Sequence, residues 1–522
     1  MLVFKLVITL LLVGAVLAAL ARRVKAPYPA LLALAGAGLA LLPNLPEVTL
    51  DPELALTLLV APVLLDTAFD SSPRDLRRHW RVVTGLALVA VGLTVVAVAL
   101  VARWLVPDIP WAAAIALGAI VAPPDAAAAT AVLTQLRPPH RILVILQGES
   151  LFNDASALLI YRIAVAAAVT GSFAGWAAVP MLAVVALGSV VLGVVAGRIS
   201  VYVTPHITDV PTSVIVQFLG TFAVWMLAEQ IHLSGILTVV VFAIYVAQRV
   251  PDLISAKLRI QSYAVWEVVV FVLNVLAFIL IGLQLKPILA RLSSAELARY
   301  AVAAIAVCAT VILVRIVWVM GYTTVARWGG AKLSTAGAAV VAWCGMRGIV
   351  TLAAALALPD GGSAAFPYRD FILFTAFSVV LGTLVVQGMT VGPLMKLVAL
   401  RDDGAVDREV RLARAETARA ALAAVDGTTG AGGAGAVAGE MIGFLRRKYQ
   451  ARLVRAEQGD DALDPAEADG WRDYGGVQRR AVAEERHRLS DLRARGVIGD
   501  DAFHRVEEEL DWAEVNAESP RL

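Results

Sequence analysis

Charge is scarce in this sequence. Lysine, arginine, aspartate and glutamate together make up 16% of the 522 residues, whereas apolar residues make up 59% and the mean hydropathy is +0.77. Soluble domains carry about 25% charged residues, so this composition excludes an ordinary soluble protein. We therefore expect an all-α, polytopic membrane protein whose environment is the lipid bilayer, and no nucleic-acid partner.

Cysteine is also scarce, and signatures of catalysis are missing. The two cysteines, Cys308 and Cys344, both lie in apolar runs, which is typical of small buried hydrophobic side chains rather than of a disulfide or metal pair. The sequence contains no His-Glu-x-x-His helix and no Gly-x-Gly-Asp motif, so an intramembrane protease has little support. We expect neither an enzyme nor a resident cofactor.

Thirteen apolar segments predict membrane-spanning helices, given that a span needs about 20 mostly apolar residues, although the second of them is short. They are residues 2–21, 28–42, 53–69, 80–104, 110–135, 142–169, 178–200, 210–229, 231–248, 262–285, 299–325, 333–358 and 370–398.

The distribution of basic residues predicts the orientation of these helices. Loops that follow the odd-numbered helices are rich in arginine and lysine, and loops on the opposite side are poor in them. Because basic loops remain in the cytoplasm, the N-terminus is expected outside and the C-terminus inside, in the plasma membrane. Arg22, Arg23 and Lys25 follow the first apolar run and outnumber Lys5 before it, so that run is expected to be a retained helix rather than a signal peptide.

The strongest functional signal is the run LQGESLFNDAS, which lies well inside the predicted sixth helix. Glu149 and Asn153 are four residues apart and share one helix face, whereas Ser150 and Asp154 share the adjacent face. One carboxylate can therefore pair with a positive charge while the other binds a cation or a proton. Ionisable groups at membrane depth usually mark an ion pathway, although an ion-pair network that serves packing alone is the alternative.

The predicted fifth helix is interrupted by two prolines. Pro123 and Pro124 remove backbone donors, so carbonyl groups near Val121 and Ala122 should lose their partners and become available as cation ligands. Asp125 follows directly, about 21 Å along the helix from Trp111 and therefore near the bilayer centre. A simple proline kink, with Asp125 capping the second half-helix, is the alternative and is compatible with ion binding.

A second interruption is predicted in the twelfth helix, at WCGMRGIV. Arg347 lies there between Gly345 and Gly348, and a buried arginine needs an anionic partner, for which Glu149 is the candidate. Helices 5 and 12 are each fifth in a set of six, if helices 1–6 and 8–13 are two repeats of opposite orientation. Interrupted helices in corresponding positions are typical of inverted-repeat transporters.

Several of these segments resemble the monovalent cation:proton antiporter-1 family, the sodium/proton exchangers of the NhaP type. The resemblance covers about residues 1–400 and rests on Gly-Glu-Ser with Asn-Asp, on Met-Arg-Gly, and on the runs LLVAPVLLDTAF, APPDAAAATAVL, LSGILTVVV and FILIGLQL. It implies a homodimer that works by elevator-type alternating access, with a core near helices 4–6 and 11–13 and dimerisation by the remainder.

The resemblance also implies roles for individual residues. Asp154 would be the essential cation and proton site, Ser150 and Asp125 its co-ligands for transported Na⁺, and Asn153 the support of the unwound crossing. Electrogenic relatives carry a second aspartate at the position of Asn153, which implies exchange of one cation for one proton here. One departure is that this chain has Pro124-Asp125-Ala126 where the family usually has Thr-Asp-Pro, so a threonine hydroxyl is absent.

The expected function is therefore exchange of Na⁺ or Li⁺ for H⁺ by competition at Asp154. A K⁺/H⁺ exchanger of the same family is the main alternative. Proton-pumping respiratory subunits are a weaker one, because they rely on lysines in the middle of helices and every lysine before residue 400 here lies near a predicted membrane edge.

Beyond residue 400 the chain becomes charged and polar. Residues 401–522 are expected to form a cytoplasmic tail, with an amphipathic helix at 405–425, a flexible glycine-rich linker at 427–436 and a helical hairpin near 480–515.

Overall fold

The computed structural model contains only helices and their connections in the residues it describes. Those residues are 2–24, 27–42, 51–133, 136, 138–170, 175–254, 256–328, 334–360, 366–400, 402, 404–429, 436–458 and the isolated positions 485, 506, 510 and 512. The chain divides into two compact units, Met1–Asp403 and Gly404–Leu522.

Within the described residues of the first unit, thirteen main helical segments follow one another, as predicted. They are α1 Leu2–Val24, α2 Tyr28–Ala40, α3 Pro52–Phe69, α4 Pro73–Leu105, α5a Trp111–Val121 with α5b Ala126–Leu133, α6 His140–Thr170, α7 Gly175–Val203, α8 Val210–Gln230, α9 Gly235–Ala247, α10 Ala256–Leu283, α11 Ser294–Trp328, α12a Thr335–Trp343 with α12b Ile349–Leu356, and α13 Arg369–Leu397. Short helical pieces at Thr204–His206, Val250–Leu253 and Leu285–Leu289 join some of them.

Length and composition make most of these segments membrane spans. Within the described residues, nine helices are long and apolar enough to cross a bilayer, and α2, α9 and part of α1 are shorter apolar helices. The two segments interrupted in their middle are the fifth and the twelfth, which confirms the predicted discontinuous helices.

Polar side chains mark where several spans begin. The Asp51 carboxylate accepts from the backbone N–H groups of Glu53 and Leu54 at the start of α3, at 2.9 and 3.0 Å. Ser234 and Ser334 cap α9 and α12a in the same way. These caps satisfy donors that have no partner in the first turn of a helix.

Small residues allow helices α2 and α10 to approach closely. A Cβ atom at Gly36 would overlap the carbonyl of Ile279, and one at Gly282 would overlap the carbonyl of Ala33. Contact of backbone with backbone through glycine is a common way to pack helices in a bilayer, where the hydrophobic effect does not drive helix association. The backbones of α2 and α10 therefore pack in direct contact.

The second unit contains two described helices, α14 Ala405–Thr429 and α15 Ala436–Gln458. Ion pairs between Arg419 and Glu457 and between Arg446 and Asp426 join them. The predicted amphipathic helix is present, but it continues through residues 427–429, where the linker was predicted to begin, because a single glycine costs a helix only about 1 kcal/mol. Residues 430–435 and almost all of the predicted hairpin lie outside the described residues.

Candidate functional site

The interruptions of helices α5 and α12 lie against each other in the middle of the first unit. The backbone N–H of Asp125 donates to the carbonyl of Met346 at 2.7 Å, which joins the two non-helical segments directly. A Cβ atom at Gly348 would overlap the carboxylate of Asp125, so only glycine fits there without displacement of the Asp125 side chain. The two breaks predicted from Pro123-Pro124 and from the glycine pair thus form one crossing.

Arg347 supports this crossing through backbone carbonyl groups. Its Nε donates to Val121 at 3.0 Å and its Nη2 donates to Ala122 at 3.1 Å, while Nη1 donates to Gly345. The guanidinium therefore satisfies carbonyls at the C-terminal end of α5a, where a positive charge also interacts favourably with the helix dipole. The expectation that the Val121 and Ala122 carbonyls serve as cation ligands is wrong, because a positively charged side chain already occupies them.

The predicted pairing of Glu149 with Arg347 is wrong. Glu149 pairs instead with Arg315 of α11, whose Nη1 donates to Oε1 and whose Nη2 donates to Oε2 at 2.8 Å. Arg315 also donates to the carbonyl of Val341 in α12a, from Nε at 3.2 Å and from Nη2 at 3.0 Å. Both side chains are buried, and the two parallel hydrogen bonds match the planar fork of arginine to the carboxylate.

Arg347 does not pair with Glu149 because backbone carbonyl groups without a helical donor lie next to it. The N–H of Asp125 donates to Met346 and that of Ala126 to the Ser150 hydroxyl, so the carbonyls of Val121 and Ala122 receive no helical donor. Arg347 is the side chain that meets them, and its guanidinium donors are used there rather than on a carboxylate.

Side chains from α6 and the crossing satisfy the remaining backbone groups. Asp125 Oδ1 accepts from the N–H groups of Ala127 and Ala128 at 2.8 and 3.4 Å, so it caps α5b as the alternative interpretation proposed. Asn153 donates from Nδ2 to the carbonyl of Pro124 at 3.1 Å. Asn153 therefore ties α6 to the break in α5.

A small cavity beside the crossing brings together three of the predicted site residues. Asp125, Ser150 and Asp154 line it, and its volume is about 40 Å³, which exceeds the roughly 10–15 Å³ that a cavity needs to hold one water molecule. Asp154 is 5% exposed, and Asp125 is partly exposed. Glu149 does not line this cavity, since its carboxylate is held on the other side by Arg315.

The cavity also contains polar side chains that the sequence did not single out. They are Thr67 of α3, Asn274 of α10 and Thr351 of α12b. Asn274 was detectable as the single amide within the apolar run FVLNVLAF. Thr67 carried no such signal, and its hydroxyl donates to the carbonyl of Val63 at 2.9 Å.

Charge at this cavity is uncompensated among the described residues. No arginine, lysine or histidine there forms an ion pair with Asp125 or Asp154, although Glu149 is paired. Arg162, another arginine of α6, is also ion-paired, since it contacts Glu229 at 2.7 Å. The arrangement is an oxygen-rich pocket with two carboxyl groups, which suits a single cation or proton.

Comparison with known proteins places this site in a wider context. Residues 7–397 match the family model described as sodium/hydrogen exchanger, transmembrane. A protein of Mycobacterium tuberculosis named as an uncharacterized Na(+)/H(+) exchanger is 32% identical, over 99% of this chain and 97% of its own. A sodium, potassium, lithium and rubidium/H(+) antiporter of Bacillus pumilus is 30% identical, over 75% of this chain and 60% of its own.

The fold also resembles that of a solved structure. The sodium proton antiporter MjNhaP1 of Methanocaldococcus jannaschii matches with a TM-score of 0.62 and 20% identity, over 76% of this chain and 98% of its own. This likeness shows a shared arrangement of helices.

Proposed function

The chain belongs to the sodium/hydrogen exchanger family, a family of cation/proton antiporters, and from that membership we propose that it exchanges Na⁺ or Li⁺ for H⁺ at Asp154. It is a multi-pass membrane protein and a secondary transporter. The proposed co-ligands are Asp125 and Ser150, which line the same small cavity.

The observation that supports this proposal most is the uncompensated carboxylate pair. Asp154 and Asp125 share a cavity of about 40 Å³, in which no basic side chain of the described residues pairs with either. Na⁺ and Li⁺ are hard cations that bind oxygen ligands. A carboxylate must be ionised to bind them, and protonation removes that charge. One residue can therefore couple the two ions by simple competition.

The contacts of the two buried arginines support separate roles for Glu149 and for the two carboxylates of the cavity. Arg315 neutralises Glu149, so that carboxylate is already compensated and does not compete for the transported cation. Arg347 stabilises the C-terminal end of α5a and holds the crossing that positions Asp125. Both arginines act on the scaffold of the site.

Electroneutral exchange, one cation for one proton, is the proposed stoichiometry. Asn153 adds no charge next to Asp154, and its amide is engaged with the carbonyl of Pro124. Because the cation and the proton compete for one titrating carboxylate, the net charge moved per cycle is zero.

Alternating access is proposed to expose this cavity to each side in turn. The core near helices α4–α6 and α11–α13 carries the crossing, and the remaining helices would form the homodimer contact. The chain is proposed to lie in the plasma membrane with its N-terminus outside and its tail in the cytoplasm, as the basic loops indicate.

K⁺/H⁺ exchange is the second candidate. The Bacillus pumilus relative is named for potassium and rubidium as well as for sodium and lithium, and the absence of a hydroxyl at Pro124 removes one oxygen donor from the site. A site with fewer fixed ligands discriminates less between cations of different size.

A reconstituted transport assay separates these candidates. Purified protein in proteoliposomes with a pH-sensitive dye inside is given Na⁺, Li⁺ or K⁺ outside at equal concentration. The proposal predicts proton flux with Na⁺ and Li⁺, and an Na⁺-driven rate that does not change when valinomycin with potassium imposes a membrane potential. Flux with K⁺ alone would favour the second candidate, and an Na⁺-driven rate that follows the potential would refute electroneutrality.

A further inference from the structure

A second and larger cavity lies away from the ion site, among the ends of α4, α6, α11 and α12a. Its volume is about 280 Å³, and it shares no lining residue with the cavity that holds Asp154. Most of its wall is apolar, formed by residues that include Val82, Leu86, Ile145, Trp318 and Val341. An apolar cavity of this size is unfavourable for water, which needs two to four polar partners.

Among the described residues that line this cavity, one has a charged side chain. Arg141 lies in the first turn of α6 and is half-buried. Among the described residues no carboxylate pairs with it, since the neighbouring Asp75 contacts Arg74 and His140. Arg78 is the other cation that acts on it, so positive charge accumulates at this point. A half-buried guanidinium without a carboxylate is suited to an anionic ligand.

Tryptophan residues indicate the depth of this cavity in the membrane. Trp80 near the start of α4 is 57% exposed, and Trp328 at the end of α11 is 85% exposed. Exposed tryptophans at helix ends lie at the level of the lipid headgroups. Arg141 is at the same end of the bundle, so the cavity extends from the headgroup level into the acyl-chain region.

We propose that this cavity binds an anionic phospholipid, with one acyl chain between the helices and the phosphate on Arg141. The apolar wall fits the acyl chain, and the Arg141 guanidinium, which has no carboxylate partner among the described residues, fits the phosphate. The headgroup depth of Arg141 fits a lipid of the surrounding leaflet. The loops at this end are the basic ones, which also attract anionic lipid.

The bound chain braces the helices that carry the buried ion pair. Glu149 lies on α6 and Arg315 on α11, and the carbonyl of Val341, which lines the cavity, accepts from Arg315. A lipid chain that fills the space beside Val341 therefore stabilises the protein against heat.

Photolabelling locates the lipid. The full-length protein in detergent is incubated with phosphatidylglycerol that carries a diazirine on one acyl chain, irradiated and digested. The expected label lies on the peptides of α11 and α12a that contain Trp318 and Val341. Unlabelled phosphatidylglycerol should compete at least roughly tenfold better than phosphatidylcholine. Both lipids present a phosphate to Arg141, but the quaternary ammonium of phosphatidylcholine compensates that charge and is repelled by the positive charge around Arg141.

Variants at the cavity give the matched comparison. Arg141→Gln should weaken labelling roughly tenfold, and Ala338→Phe or Val82→Phe, which fill the cavity from two different helices, should abolish it. Arg77→Gln changes an exposed arginine at the same end of the bundle that does not line the cavity, and should leave labelling unchanged.

Several outcomes would overturn the proposal. Equal labelling of all variants would show that the acyl chain of the lipid lies outside this cavity. Equal competition by phosphatidylcholine would refute the role of the anionic headgroup. Stronger competition by oleate than by phosphatidylglycerol would identify a free fatty acid as the occupant. If one cavity-filling variant does not fold, the other and Arg141→Gln still decide the result.

Discussion

The pairing of Glu149 with Arg315, rather than with Arg347, predicts which double variants should show energetic coupling. Arg315→Met leaves a carboxylate that is 1% exposed without its counter-ion, and removal of one partner of a buried pair costs about 3–5 kcal/mol. Glu149→Gln removes the charge that Arg315 neutralises. The double variant leaves neither charge of this pair, so its loss should be smaller than the sum of the single losses.

The structure gives the size of this difference. Arg315 makes two charge-assisted hydrogen bonds to Glu149, each of which contributes about 1.5–3 kcal/mol, so the coupling energy should be near 3 kcal/mol. The matched cycle uses Glu149→Gln with Arg347→Met. Arg347 donates to carbonyl groups and makes no hydrogen bond to Glu149 among the described residues, so that coupling should stay below about 1 kcal/mol.

The assay is reversible unfolding of the purified protein in mixed detergent, with the free energy of unfolding compared across both cycles. A larger coupling for Glu149 with Arg347 than with Arg315 would refute the assignment. Equal coupling in both cycles would show that the two arginines share the carboxylate, which also contradicts the structure.

Three further predictions concern the crossing and the tail. Gly348→Ala should lower the melting temperature and abolish exchange, because its Cβ would overlap the Asp125 carboxylate, whereas Gly38→Ala, which has open space around it, should behave like wild type. Asn153→Ala should destabilise the protein by about 1–3 kcal/mol, since the buried carbonyl of Pro124 loses its donor, and a loss below 0.5 kcal/mol in the same unfolding assay would contradict that contact. Deletion of residues 404–522 should preserve Na⁺-driven proton flux in proteoliposomes, because every residue of the proposed site lies in the first unit, and complete loss of flux in a well-folded truncation would refute this.

Much of the fold was predictable because hydropathy is a strong signal in a bilayer. Every span must be a continuous or locally broken helix, so apolar length located most of the thirteen segments. The two interruptions were also predictable, since Pro123-Pro124 removes backbone donors and Gly345 and Gly348 permit close approach. The meeting of the two breaks follows from the fold, and it became visible only in the contact between Asp125 and Met346.

The partners of buried charges were not predictable from the sequence. Arg315 and Arg347 both lie in apolar segments, and sequence position does not show which of them reaches Glu149. The choice depends on three-dimensional geometry: the carbonyls of Val121 and Ala122 occupy Arg347, and α11 brings Arg315 to the carboxylate. The place of Asn274 in the ion-site cavity, and the apolar cavity beside Arg141, likewise depend on how helices distant in sequence pack together.

The most direct test of the central claim is Na⁺-driven proton flux by Asp154→Asn in proteoliposomes. The amide is nearly isosteric and removes a buried charge, so the variant should fold and melt no lower than wild type while its flux falls to the level of empty liposomes. Asp108→Asn, the same substitution at an exposed position in the loop between α4 and α5a, should retain wild-type flux. Sodium-dependent flux that persists in folded Asp154→Asn would contradict the assignment of that carboxylate as the shared site of cation and proton.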